Sequence, residues 1–247
     1  MNLDLRTLGA AALMAFLALG SVAGGAAPLP PRRPPELAGP KSEPSPRSSG
    51  AADQERPATS EMDACLARLA SLGVEFETVA APTENLACTV AMPIRLKRIG
   101  PRRGDGTAPI EFPARPLIDC RLAEPLALWL AGAVAPILAA GFSSRLTAVR
   151  TGPGYECRNR NRAAAGKISA HALGLALDIS GFELADGRSV PAATPKDEPG
   201  SALNSLRTAA CGWFMTVLGP GSDPAHEDHL HVDVEPHGAS GRYRICD

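Results

Sequence analysis

Two segments in the second half of the chain alternate between polar and apolar residues, which is the pattern of a half-buried β-strand. In HLHVDV, a strand would place His229, His231 and Asp233 on one face and the aliphatic residues on the other. In LGLALDIS, Asp178 shares its face with a glycine and an alanine. These small neighbours leave room for something larger beside the carboxylate, such as a metal ion with its ligands.

Apolar periodicity elsewhere predicts elements that would surround these strands. The predicted helices run from Ser60 to Gly73, from Pro125 in its first turn to about Ala140 with a kink at Pro136, and from Ser201 to Leu218. The predicted strands cover residues 90–99, at a sheet edge because of Pro93, and then 146–150, 174–180 and 229–234. Trp213 falls in the apolar stripe of the last helix, so we expect it in the core rather than as a substrate platform. Together, these predicted elements indicate an α+β domain with a small antiparallel sheet under helices.

The first 60 residues differ in composition from the rest. Residues 8–19 form an apolar run of twelve, which suits a secretory signal and is too short to span a bilayer. We predict a signal peptide over residues 1–27, with an uncleaved membrane tether as the alternative. Residues 28–60 hold nine of the 24 prolines and few large apolar groups, which predicts a disordered linker. The folded domain is then residues 61–247, exported to the periplasm or secreted.

All six cysteines lie in this domain, and an even number in an exported chain predicts disulfides. Fifteen pairings are possible. We favour Cys65 with Cys88, Cys120 with Cys157 and Cys211 with Cys246, because each pair closes a local loop. A thiolate zinc site is the alternative, and no Cys-x-x-Cys pair supports it. The net charge of −1 argues against a nucleic-acid partner, and no pattern indicates an oligomeric state.

The histidines are clustered in a way that indicates a metal site. His226, His229 and His231 fall within six positions, and His171 precedes Asp178 by seven. Imidazole nitrogens and a carboxylate oxygen form the ligand set of catalytic Zn²⁺ sites, which leave one coordination position open.

These residues, in this order, resemble the LAS group of zinc peptidases (lysostaphin, D-Ala-D-Ala metallopeptidases and the hedgehog fold). The group has a Ser-x-His-x-x-Gly-x-Ala-x-Asp segment with two zinc ligands, and a later His-x-His whose second histidine is the third. The positions that match the first segment are Ser169, His171, Gly174, Ala176 and Asp178. The resemblance implies Zn²⁺ bound by His171, Asp178 and His231, with His229 close to the reacting groups and a LAS/hedgehog-like fold.

Three further residues acquire roles from this resemblance. His226 is similar to the extra histidine of the penicillin-insensitive murein endopeptidase branch. Arg158 is the best match to the arginine that polarises the scissile carbonyl. Asp228 stands where the carboxypeptidase branch has its glutamate base; three roles stay open for this shorter side chain, namely to act as the base, to orient His229 or to support His226.

The remaining polar residues near these motifs have simpler interpretations. Arg160 and Arg162 are expected on a solvated basic loop, and His237 on the surface. We expect turn or supporting roles for Asp223 and Asp233 rather than metal ligation.

A closer resemblance is to the bacterial extensin-like C-terminal domain family, from about Asp63 to Asp247. It rests on the cysteine placement, on GYECRNRN and VLGPGSDPAHEDHLHVDV, and on the cysteine next to the C-terminus. Together the resemblances imply a periplasmic zinc hydrolase that cuts a peptidoglycan amide bond involving a D-amino acid, as an endopeptidase or a carboxypeptidase. The alternative is a non-catalytic cell-wall binding or scaffold domain with a structural or vestigial zinc site.

Overall fold

The computed structural model describes residues 57–100, 108–193 and 202–247. The predicted signal peptide lies outside the described residues, and so does the predicted linker up to residue 56. The α-helices are α1 (Pro57–Ser71), α2 (Cys120–Trp129), α3 (Ala135–Phe142) and α4 (Ala202–Ala210). The strands are β1 (Val74–Thr78), β2 (Pro93–Ile99), β3 (Ile110–Glu111), β4 (Leu117–Asp119), β5 (Leu146–Thr151), β6 (Ala176–Leu184), β7 (Ser189–Pro191), β8 (Thr216–Leu218), β9 (Leu230–Asp233) and β10 (Ile245–Cys246).

The strands of the described residues form one ten-stranded sheet, in the order β1-β2-β3-β5-β6-β9-β8-β10, with β4 beside β2 and β7 beside β6. The α+β class is therefore confirmed. The expected small antiparallel sheet is wrong, because β3 pairs with β5 and β10 pairs with β8 in parallel. The edge position predicted for β2 is also wrong: it pairs with β1 on one side and with β3 and β4 on the other. Pro93 is tolerated because it is the first residue of the strand.

The long apolar helix begins earlier than the sequence predicts. Asp119 is its N-cap and accepts a hydrogen bond from the backbone N–H of Arg121, so Pro125 lies inside α2 rather than in a first turn of its own. A π-helical turn, Leu130–Val134, joins α2 to α3 just before Pro136. By length and composition Cys120–Phe142 could cross a membrane, with a mean hydropathy of 1.8. That is weak evidence, because its apolar side chains pack in the core as those of many buried helices do.

The third predicted helix divides into two elements. Helix α4 ends at Ala210, and residues 216–218 form strand β8 instead of a last helical turn. Phe214 is buried against Trp129, with ring centroids 5.6 Å apart and an edge-to-face arrangement. Trp213 keeps 37% of its surface exposed, so the prediction that it packs in the core is wrong. It does not line the cleft described below either.

Three disulfides form, but two of the predicted pairs are wrong. Cys65 of α1 bonds to Cys120 of α2, and Cys88 bonds to Cys157. Cys211–Cys246 is confirmed. Each incorrect prediction chose the nearer cysteine along the chain, whereas the packing of α1 on α2 brings Cys65 against Cys120, 55 residues away. Disulfide geometry needs close Cα atoms, which sequence separation does not provide.

Strands β6, β9 and β8 present two chemically different faces. Their apolar side chains pack into the main core: Leu177, Ile179, Leu230, Val232 and Val217. The residues between them point to the opposite face, because side chains alternate along a strand: Asp178, His231, Asp233, Thr216 and Leu218. The sheet therefore uses one side for the core and the other as the floor of a polar site.

Candidate metal centre

Asp178 and His231 lie directly opposite each other on the antiparallel strands β6 and β9. His171 comes from a 3₁₀ turn, Ala170–Leu173, in which the Ser169 hydroxyl accepts a hydrogen bond from the His171 backbone N–H at 3.3 Å. Gly174 ends this turn with a φ of +67°, and a Cβ there would lie 2.7 Å from Cγ1 of Val90. A glycine is therefore needed for the chain to pass from the turn into β6 with His171 above the sheet.

Three potential ligand atoms form a tight triangle. His171 Nε2 lies 3.1 Å from Asp178 Oδ1 and 3.2 Å from His231 Nδ1, and His231 Nδ1 lies 2.8 Å from Asp178 Oδ1. The point in their plane equidistant from these atoms is about 1.8 Å from each, so a point slightly out of the plane satisfies metal–ligand distances of about 2.0–2.2 Å. This His–Asp–His group could hold a metal ion.

The other nitrogen of each imidazole has its own partner. His171 Nδ1 lies 2.7 Å from the Gly154 carbonyl oxygen, to which it can donate. His231 Nε2 lies 3.3 Å from Asp233 Oδ2. Such contacts select the tautomer that leaves the opposite nitrogen free for a metal ion, and they fix the orientation of each ring. The supporting role predicted for Asp233 agrees with this geometry.

The electrostatics of the cluster favour a charged carboxylate. Burial alone would raise the pKa of Asp178, but hydrogen bonds with the surrounding imidazoles outweigh it and hold the pKa well below its ordinary value. Burial would lower the pKa of His231, whereas its hydrogen bonds with Asp178 and Asp233 raise it to about 9. The charged Asp178 carboxylate thus faces the imidazoles, an arrangement that suits a divalent cation.

His229 lies beside this triangle without being one of its three corners. Its Nε2 is 3.5 Å from Asp178 Oδ1, and its Nδ1 is 2.8 Å from Asp228 Oδ1. The contact with Asp178 is the largest cause that raises the pKa of His229. The Asp228 side chain is 91% exposed. The Asp228 carboxylate contacts His229. This agrees with the role of orienting His229, one of the three roles that the sequence left open.

His226 is buried next to the same cluster. Its ring centroid lies 5.3 Å from that of His229 and 5.4 Å from that of His231. Its Nδ1 lies 2.8 Å from Asp223 Oδ1, and the same oxygen accepts a hydrogen bond from the Ala225 backbone N–H. Burial lowers the pKa of His226. Asp223 therefore combines the predicted turn role with the orientation of His226.

Arg158 reaches the site from the loop that follows β5. Its side chain is 18% exposed, and its Nε donates to Glu156 Oε2 at 2.8 Å. The neighbouring Cys157 is tied to Cys88, so a covalent bond anchors this part of the loop. Arg162, which also pairs with Glu156, stays on the exposed outer side of the loop, as expected.

A cleft of about 200 Å³ lies next to the metal-ligand triangle, and His171, His226, His231 and Arg158 contribute to its walls. Sequence reasoning missed several of its other lining residues. His237 is buried rather than on the surface, with Nε2 2.6 Å from Thr216 Oγ1. Glu235 is buried and pairs with Arg160 at 2.9 Å and with Lys167 at 2.8 Å. The alternation of Asp233, Glu235 and His237 continues that of His229 and His231, and this signal could have identified them.

Comparison with protein families defines the class of this domain. The family model for the extensin-like protein C-terminus matches residues 63–247. The chain therefore belongs to the extensin-like C-terminal family, as its cysteines and histidine motifs indicated. No curated protein and no solved structure matches it.

Proposed function

We propose that this protein is an exported zinc-dependent hydrolase that cleaves an amide bond involving a D-amino acid in peptidoglycan peptides. The observation that carries the proposal is the triangle of His171 Nε2, Asp178 Oδ1 and His231 Nδ1 at the side of a cleft. Catalytic zinc sites have three protein ligands and an open position, whereas structural sites are usually closed by four. The nitrogen and oxygen ligand set suits Zn²⁺. When bound, the ion would polarise a carbonyl group and lower the pKa of a water molecule.

The residues around the triangle would then move protons and stabilise charge. His229 is assigned the proton transfer, because it contacts Asp178 at 3.5 Å without belonging to the ligand triangle. Asp228 is assigned the orientation of His229, since its exposed carboxylate contacts His229 Nδ1. His226, held by Asp223, would border the reacting groups beside His229 and His231. Arg158 would stabilise the negative charge that develops on the scissile carbonyl oxygen.

The substrate class comes from the resemblance to the LAS peptidases, which act largely on bonds of D-amino acids, and from the predicted export signal. A signal peptide over residues 1–27 would deliver the domain to the compartment of the cell wall. Three disulfides agree with an oxidising compartment. Guanidinium groups next to the cleft suit a substrate that carries carboxylates.

One observation favours a second function, that of a cell-wall binding domain with a closed metal site. His229 Nε2 lies only 3.5 Å from Asp178 Oδ1, so a small movement would make His229 a fourth ligand. A four-ligand site has no open position for catalysis.

The decisive experiment combines metal analysis with digestion of purified sacculi. We expect one zinc per protein, new muropeptide fragments from sacculi, and loss of both after treatment with a chelator. Ordinary L-peptides should survive the same incubation. Sacculi that are bound tightly but left chemically unchanged at full zinc occupancy would establish the binding domain instead.

A further inference from the structure

We propose that His237 and Thr216, with Arg160 at the rim, form a subsite in the cleft that binds a carboxylate of the substrate. The two side chains form a buried pair, with His237 Nε2 2.6 Å from Thr216 Oγ1. Both line the cleft that also borders His171 and His231. The proposal rests on the proposed function for the identity of the substrate, and it adds a binding role that the metal cluster does not need.

The register of the sheet locates this subsite relative to the metal ligands. Leu218 pairs with His231 and Thr216 pairs with Asp233 across β8 and β9. Thr216 and His231 are thus diagonal neighbours on one face, about 7–8 Å apart. This separation corresponds to about two residues of extended peptide at 3.3–3.6 Å each. An extended substrate that is cleaved at the metal and runs along this face therefore places a group about two residues from the cleaved bond next to Thr216 and His237.

The carboxylates that line the cleft are already engaged by donors of the protein itself. Asp233 accepts from the Glu235 backbone N–H at 3.0 Å, and its other oxygen contacts His231. Glu235 pairs with both Arg160 and Lys167. Asp223 accepts from Ala225 and contacts His226. The acidic groups in these walls thus have donors before a substrate arrives.

We assign the Thr216 hydroxyl as the donor to His237 Nε2, which places the ring proton on Nδ1. Donors, in contrast to the acidic groups, then remain free on this wall. Within the described residues, His237 Nδ1 has no hydrogen-bond partner, and Arg160 uses only its Nη2, on Glu235. Glu235 precedes His237 by two residues, so its contact holds the Arg160 guanidinium close to the same wall. A buried imidazole with a free nitrogen beside a guanidinium recognises a ligand with acceptor oxygens and negative charge. A carboxylate is such a ligand, and peptidoglycan stem peptides carry several.

The experiment measures binding without turnover. Zinc-loaded protein carrying His229→Ala is titrated by calorimetry with soluble muropeptides, and with the same muropeptides after their carboxylates have been converted to amides. We expect amidation to weaken binding about tenfold to hundredfold, which is the range of a charge-assisted hydrogen bond. Equal affinity for both forms would overturn the subsite. Failure to bind either form would overturn the substrate class, and the proposed function with it.

Two substitutions of His237 separate its two nitrogens. His237→Gln places an amide near the position of Nε2 and keeps the contact with Thr216, so we expect a folded protein that keeps only the part of the discrimination that Arg160 contributes. His237→Asn places an amide near the position of Nδ1 and should retain part of the discrimination. A His237→Gln variant that discriminates like the parent would contradict the proposal. Arg160→Gln should lose part of the discrimination. Arg98→Gln removes a guanidinium of β2 that pairs with Glu75 and Glu111, near the other end of the strand order from β8, and should lose none.

Discussion

The two faces of strands β6, β9 and β8 are built from alternate residues of the same segments, yet they perform opposite tasks. On one face, Leu177 and Val232 are fully buried and pack into the apolar core. On the other face, the neighbouring Asp178 and His231 converge on a cluster of imidazoles and carboxylates. Rigidity and chemistry are therefore coupled in these strands. The packed face fixes the backbone that sets the ligand distances, while the polar face holds charged groups close together.

The site face should respond to substitution mainly through metal binding and activity. We expect His231→Ala to lose the metal, because it removes one corner of the ligand triangle. His229→Ala should keep the metal but lose activity by about 10²–10⁴-fold, the usual contribution of a proton-transfer group. Metal content by atomic spectroscopy and hydrolysis of sacculi check both variants. Equal metal loss in both would identify His229 as a ligand and favour the closed site.

The core face should respond mainly through stability. Ile179→Ala removes a fully buried side chain next to Asp178, and we expect it to lower the free energy of unfolding by about 2–5 kcal/mol. Denaturant unfolding of the metal-free protein measures this loss. Ser180→Ala, on the exposed neighbouring position, is the matched control and should change stability by less than about 1 kcal/mol. A similar loss in both variants would show that β6 is not anchored by its apolar face.

One disulfide lies next to the site and another ties down the C-terminal tail, so their removal should have different effects. Replacing both Cys88 and Cys157 by serine, or both Cys211 and Cys246, should cost about 2–4 kcal/mol of stability in either case. Only the first replacement frees the loop that carries Arg158, so only it should also reduce turnover by the folded protein. Thermal unfolding and initial rates at a temperature where both variants are folded provide the test. Equal turnover in both variants would show that Arg158 has no role in the reaction.

The smallest effect is expected at Asp228. Its contact with His229 is 2.8 Å long but exposed to solvent, so Asp228→Ala should reduce activity only about twofold to fivefold and leave the metal in place. Glu227→Ala removes an adjacent exposed carboxylate with no ion pair among the described residues and should have no effect. A loss at Asp228 as large as that at His229 would instead give it the role of the base.

The sequence alone predicted the elements that depend on local patterns. The alternation in HLHVDV and LGLALDIS predicted strands close to β9 and β6, because a side-chain period of two is a property of the extended backbone itself. The resemblance of the two motifs to those of the LAS peptidases singled out His171, Asp178 and His231, and the fold brings these residues within hydrogen-bonding distance. The Cys211–Cys246 pair was also predicted, because it closes a local loop and ties down the C-terminal tail.

Other features depend on distant residues, and they became visible only in the folded chain. Cys65 bonds to Cys120 because α1 packs on α2, and no local pattern records that packing. The tertiary structure exposes Trp213 and buries Phe214 beside it, where an apolar stripe predicted a helix with both residues inside. His237 looked like a surface histidine next to proline and glycine, yet the chain folds it against Thr216 of β8. Periodicity indicates which face of a strand a residue occupies. What that face contacts depends on the path of the whole chain, since Asp178 and His231, which meet across β6 and β9, are 53 residues apart in sequence.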